Sequence, residues 1–114
     1  MDPTRTTPVA LAERRLAWLE SRQRVLAQNI ANADTPGYRP RDLRPFAEAL
    51  APAGGAAPGS RPDRQVAERA PNGNAVALDQ QALKVADADT AHAFATGLHR
   101  RYLGMFRTAL GRGQ

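Results

Sequence analysis

The sequence predicts an all-α protein in which long N-terminal and C-terminal helices pack as a coiled-coil hairpin, joined by a Pro/Gly-rich, largely irregular middle segment. Three observations predict it. Leu16, Leu19, Gln23, Leu26, Ile30 and Ala33 alternate spacings of three and four, the seam of a helix that packs against another helix. Residues 76–110 repeat that rhythm. Between them, residues 36–75 hold seven of the nine prolines, and proline inside a helix removes a hydrogen bond and clashes with the preceding turn. The chain therefore divides into 1–35, 36–75 and 76–114.

The first helix begins with Thr7 as N-cap and Pro8 in the first helical position, and runs to about Ala33. Leu16, Leu19, Leu26 and Ile30 are its packing residues. A second stripe, Leu11, Trp18 and Val25, recurs every seven residues, with Trp18 about 100° around the helix from Leu19. One partner helix cannot cover both stripes. Leu11, Trp18 and Val25 are therefore candidate anchors for a neighbouring molecule.

The helix ends in a run of turn chemistry from Asn29 to Tyr38. Asn29 and Asn32 share a helix face. Thr35 is pushed toward an extended conformation by Pro36, and Pro36-Gly37 suits the central positions of a type II turn. Tyr38 leaves the turn with a large ring and a polar tip. Two amides, a forced turn and an aromatic anchor point to recognition, with Ile30, Asp34, Arg39, Arg41 and Asp42 belonging to the same motif.

Phe46, Ala49 and Leu50 can make a short helical turn, whereas Ala51 to Pro62 has no apolar period and is expected to be disordered in an isolated subunit. The last helix runs from about Val76 to Leu110, with Asn74 as cap. One of its seams is polar in the middle, at Asp89, His92 and His99. The neighbouring seam, through Ala88, Ala91, Ala95, Leu98, Tyr102 and Met105, takes over as the principal contact. Gly97, Gly104 and Gly111 lie seven apart. They either weaken the helix or form a smooth stripe that another backbone can approach.

The chain has 42% hydrophobic but only 5% aromatic residues, so it makes helices easily and a thick core with difficulty. Each helix shows more apolar surface than one partner helix can bury, which predicts homo- or hetero-oligomeric assembly. The net charge of +5 raises nucleic acid as a partner, and a small basic helical nucleic-acid-binding protein is the alternative reading. The basic residues, however, are interleaved with carboxylates. Cysteine is absent, so no thiolate metal site or disulfide is possible. His92 and His99 are about 10 Å apart along one helix, too far to share one metal. Glu13 and Glu20 lie beside arginines, where ion pairing on the helix surface is the default. No nucleophile elbow or phosphate loop is present. The expectation is a non-enzymatic protein with no cofactor and no metal. The N-terminus leads into no signal-peptide-like segment, and no run is long enough to span a membrane, so no direct membrane insertion is expected.

The stretch Asn29-Ile30-Ala31-Asn32-Ala33-Asp34-Thr35-Pro36-Gly37-Tyr38, with Arg39, Arg41 and Asp42 after it, resembles the signature of flagellar basal-body rod proteins, most closely the FlgB type of the proximal rod. A weaker resemblance lies in Asn72-Gly73-Asn74-Ala75-Val76-Ala77-Leu78-Asp79, where Ala75 and Ala77 depart from the family pattern. The resemblance implies a structural subunit of the rod, the motor's drive shaft. Other rod proteins and the basal-body membrane ring would be its partners, and export would use the flagellar type III apparatus without cleavage of a signal peptide. It also implies that Asn29 and Asn32 bond backbone at the corner or on a neighbour, that Tyr38 anchors the departing chain, and that Arg39, Arg41 and Asp42 make contacts across subunits.

Overall fold

A computed structural model describes residues 7–50, 60–63 and 71–111. The elements in chain order are α1 (Pro8–Ala31), β1 (Arg41–Leu43), α2 (Phe46–Ala49), β2 (Ser60–Pro62) and α3 (Leu78–Gly111). Two long helices packed on each other dominate the fold.

Local chemistry sets the boundaries of α1. The Thr7 hydroxyl accepts from the Ala10 N–H at 3.1 Å, satisfying one of the free donors of the first turn, and Pro8 follows where no N–H is needed. At the other end Asn32 leaves helical geometry, with φ −102° and ψ 19°, and its side-chain amide donates to the Gln28 carbonyl at 2.8 Å.

The helices run antiparallel, as four cross-helix pairs show. Glu13 meets His99 at 3.3 Å, Glu20 meets His92 at 3.8 Å, Gln23 donates to Asp89 at 2.8 Å and Asn29 donates to Gln81 at 3.0 Å. A step of seven on one helix matches a step of seven back on the other. Buried residues keep the same interval: Ala12, Leu19 and Leu26 on α1, Gln81, Ala88 and Ala95 on α3. Leucine on one helix and alanine on the other lets the axes approach closely, so a seam poor in bulky residues still excludes water.

Asp89, His92 and His99, the polar middle of the first seam on α3, stand opposite Gln23, Glu20 and Glu13, forming a polar rim along the packed alanines. Glu13 and Glu20 thus reach across to α3 rather than along their own helix.

The middle segment, expected to be largely irregular, carries an antiparallel two-stranded ribbon. Arg41 pairs with Pro62, Asp42 with Arg61 and Leu43 with Ser60. The expected helical turn is α2. Residues 51–59, where disorder was expected, lie outside the described residues, while Ser60–Pro62 is extended and paired. Leu43 explains the docking of the ribbon, because it packs its side chain, 6% exposed, into a cluster with Trp18, Leu19 and Ala95. Among the described residues no helix is long and apolar enough to cross a membrane.

Candidate functional site

The end of α1, the chain after it and the approach to α3 form one hydrogen-bonded corner. Asn29 is its centre, with no exposed surface. Its amide nitrogen donates to the Arg41 carbonyl at 2.7 Å and to Gln81 Oε1 at 3.0 Å, and its oxygen accepts from the Arg41 N–H at 3.0 Å and the Tyr38 hydroxyl at 3.1 Å. Two donors and two acceptors exhaust what a primary amide can do. By gripping both the N–H and the C=O of Arg41, the side chain acts as a neighbouring strand would, and so fixes where β1 starts.

Asn32 and Thr35 build the turn. The Thr35 hydroxyl donates to Asn32 Oδ1 at 3.0 Å, and the Tyr38 N–H closes back onto the Thr35 carbonyl at 3.2 Å. Gly37 has φ +74°, the value a type II turn needs at its third residue.

Asn72 to Ala75 complete the corner from the far side of the chain. Asn74, 3% exposed, donates through its amide to the carbonyls of Asn32 at 2.9 Å and Thr35 at 2.6 Å, while its oxygen accepts from Val76 N–H. The Gly37 N–H donates to the Asn72 carbonyl, and the Ala75 N–H to that of Tyr38, both at 3.0 Å. Gly73, at φ +80°, brings its backbone so close to Gly37 that a Cβ there would sit 3.4 Å from the Gly37 Cα. Asn74 therefore ties the two ends of the middle segment together instead of capping α3, which begins at Leu78.

A charged cluster holds the ribbon to both helices. Arg22 grips Asp42 through two 3.2 Å hydrogen bonds, Lys84 approaches the same carboxylate at 3.5 Å, and Lys84 also pairs with Asp63 beside β2. Next to it the Trp18 indole N–H donates to the Arg44 carbonyl at 2.9 Å, and Phe46 meets the Trp18 ring edge-on with centroids 6.0 Å apart. The Arg15 guanidinium lies 4.8 Å from the Trp18 ring and 5.0 Å from that of Phe46. Burial holds its pKa below the ordinary arginine value, and the nearby Arg22 charge adds to the effect.

The structure brings Asn29, Asn32, Thr35, Gly37, Tyr38, Arg41 and Asp42 together. Asp34, Pro36 and Arg39 stand exposed on the outer side of the turn. Of the packing residues, Leu19 and Leu26 are fully buried, Leu16, Leu98 and Tyr102 are half-buried, and Ile30 and Met105 are exposed. The stripe of Leu11, Trp18 and Val25 divides: Trp18 is 7% exposed beneath Leu43 and Phe46, Val25 packs against the same cluster, and Leu11 stays at the surface. Gln81, Lys84, Asp63 and Arg22 are partners that sequence reasoning did not find. A glutamine in the buried heptad phase of α3, at the position of Ala88 and Ala95, was the signal available for Gln81.

Every buried side-chain polar atom among the described residues has a partner, and no cluster of three His, Asp or Glu that could hold a metal occurs among them. The chemistry of the corner is that of backbone positioning. Its sequence has known relatives. Residues 11–39 match the family model described as flagella basal body rod protein. A 36-residue stretch is 53% identical to the flagellar basal body rod protein FlgB of Agrobacterium fabrum strain C58, covering 32% of this chain and 27% of that relative. Over residues 11–39, most of α1 and the turn that follows it, the chain is similar to flagella basal body rod proteins. The match spans about a quarter of the relative's length, and the family match stops at Arg39, short of Asn72 to Ala75, which complete the corner.

Proposed function

We propose, from the match of α1 and its corner to the flagellar basal-body rod family, that this chain is a structural subunit of the bacterial flagellar rod, without catalytic activity. The observation that carries the reading is the family match falling on α1 and on Asn29, whose buried side-chain amide makes four hydrogen bonds. In this reading the coiled-coil hairpin of α1 and α3 is the packing unit of the shaft, and the corner sets the direction in which the ribbon leaves it. Other rod proteins and the membrane ring at the rod base are its partners. It reaches the basal body through the type III apparatus without loss of a signal peptide.

Exposed apolar side chains support assembly. Leu83, Phe94, Met105, Phe106 and Leu110 are each more than half exposed on α3, a surface suited to neighbouring subunits. Head-to-tail contacts that do not close on themselves generate a helical tube. In this reading Arg39 and Asp34, both exposed at the turn, touch a neighbour. A nucleic-acid-binding role finds less support, because Arg22, Arg61 and Lys84 all face carboxylates of the same chain.

The test is a deletion strain examined for rods, hooks and filaments. Loss of all three, restored by the intact gene but not by an Asn29→Ala variant, supports the reading. Normal rods without the protein exclude it.

A further inference from the structure

The outer face of α3 carries a pattern that reads the same in both directions. Phe94 is its centre, 73% exposed. Leu83 and Met105, 68% and 58% exposed, lie eleven residues to either side, and Asp87 and Arg101 lie seven residues to either side. At 100° per residue all four fall within about 20° of Phe94 around the helix, and the stripe is about 33 Å long. The residues that α3 buries, Gln81, Ala88 and Ala95, point about 100–140° away, so neither α1 nor the ribbon covers the stripe. Asp87 and Arg101 have no ion-pair partner among the described residues.

We propose that this stripe pairs with the same stripe of a second copy, antiparallel, about a two-fold axis through Phe94. In that arrangement Asp87 of each copy faces Arg101 of the other, Leu83 faces Met105, and the two Phe94 rings meet at the axis. A parallel arrangement would set Asp87 against Asp87 and Arg101 against Arg101, so the charges select the antiparallel one. The eleven-residue interval corresponds to 3.67 residues per turn, close to the 3.6 of a straight helix, which keeps the stripe facing its partner along its whole length. The resulting contact is isologous and closes on itself. It cannot propagate as a shaft does, so it belongs to the chain outside a polymer, where it shields the apolar stripe. The pairing does not depend on the rod reading.

The test is the mass of the purified full chain in solution, by sedimentation, at concentrations up to about 100 µM. A dimer is expected. Asp87→Arg alone and Arg101→Asp alone each place like charges face to face twice and weaken association by at least about 10-fold. The double exchange, Asp87→Arg with Arg101→Asp, restores it. Both substitutions sit on an exposed helix face, and circular dichroism verifies that each of the three variants is folded. A monomer at this concentration, association that grows beyond the dimer, or a double exchange that fails to restore pairing overturns the proposal. So does a stripe that binds only a different protein.

Discussion

Asn29 and Arg41 are joined by a side-chain amide that both donates to and accepts from the backbone of one residue, at 2.7 and 3.0 Å. The last buried position of α1 thereby becomes the first rung of the ribbon. Because Gln81 of α3 shares the same amide, a single side chain links three elements.

Replacing Asn29 tests this directly. Asn29→Ala leaves Gln81 and the Arg41 backbone without their buried partner, and Asn29→Asp keeps the shape but puts a carboxylate where two donors were. Each is expected to destabilise the chain by about 2–4 kcal/mol, lowering the thermal midpoint by about 10–20 °C. Combining Asn29→Ala with Gln81→Ala should cost less than the sum of the two, by about 1 kcal/mol, since the hydrogen bond they share is lost only once. Additive costs in urea titrations would contradict the bridge.

The glycines divide into two groups with opposite expected effects. Gly73 sits at φ +80° against the Gly37 backbone, so Gly73→Ala adds backbone strain and a tight contact, at about 1–2 kcal/mol. Gly97 and Gly104 are helical, and a Cβ on either would meet open space. Alanine at either should stabilise the free chain by up to about 1 kcal/mol. Should Gly97→Ala and Gly104→Ala raise the melting temperature yet abolish rod assembly, close backbone approach along the glycine stripe is the function they serve.

Local chemistry made much of this legible. Thr7-Pro8 marked the start of α1, Pro36-Gly37 marked the turn, and the spacing of Leu19 and Leu26 marked the buried seam, each through neighbours a few residues away. What escaped depended on distant partners. Gln81 lies 52 residues from Asn29, and no local rule pairs them. Arg41–Leu43 and Ser60–Pro62 are three-residue strands, one ending in proline, too short to show alternation. Trp18 stands off the hairpin seam as its spacing indicated, but no local signal showed that residues 43–46 fold back over it. The stripe through Leu83, Phe94 and Met105 repeats every eleven residues and is invisible to a search for sevens.

The two ion-pair settings of the ribbon should differ in strength. Asp42 accepts from Arg22 and Lys84 with side chains 14–21% exposed, so Asp42→Ala takes the carboxylate from Arg22 in a partly dry site and leaves Lys84 with Asp63 alone. A loss of about 2–3 kcal/mol is expected. Glu48 meets Arg61 at 3.8 Å with both side chains well exposed, and Glu48→Ala should cost under about 0.5 kcal/mol. Equal costs in parallel denaturation experiments would show that the Asp42 cluster is as solvated as the surface pair.

Trp18 is the sole tryptophan, so its fluorescence reports whether the ribbon and α2 sit on α1. Phe46 meets its ring at 6.0 Å and Leu43 shares its cluster. Phe46→Ala should therefore shift the emission to longer wavelength and increase quenching by iodide, while far-ultraviolet circular dichroism keeps the helical signal of α1 and α3. Trp18→Phe loses only the hydrogen bond to the Arg44 carbonyl and some area, about 1–2 kcal/mol, whereas Trp18→Ala empties the site at about 3–5 kcal/mol. The graded series separates intramolecular packing from an anchoring role. If the free wild-type chain already emits at the wavelength of exposed tryptophan, α2 does not cover the ring in solution, and Trp18 is available to a neighbouring subunit.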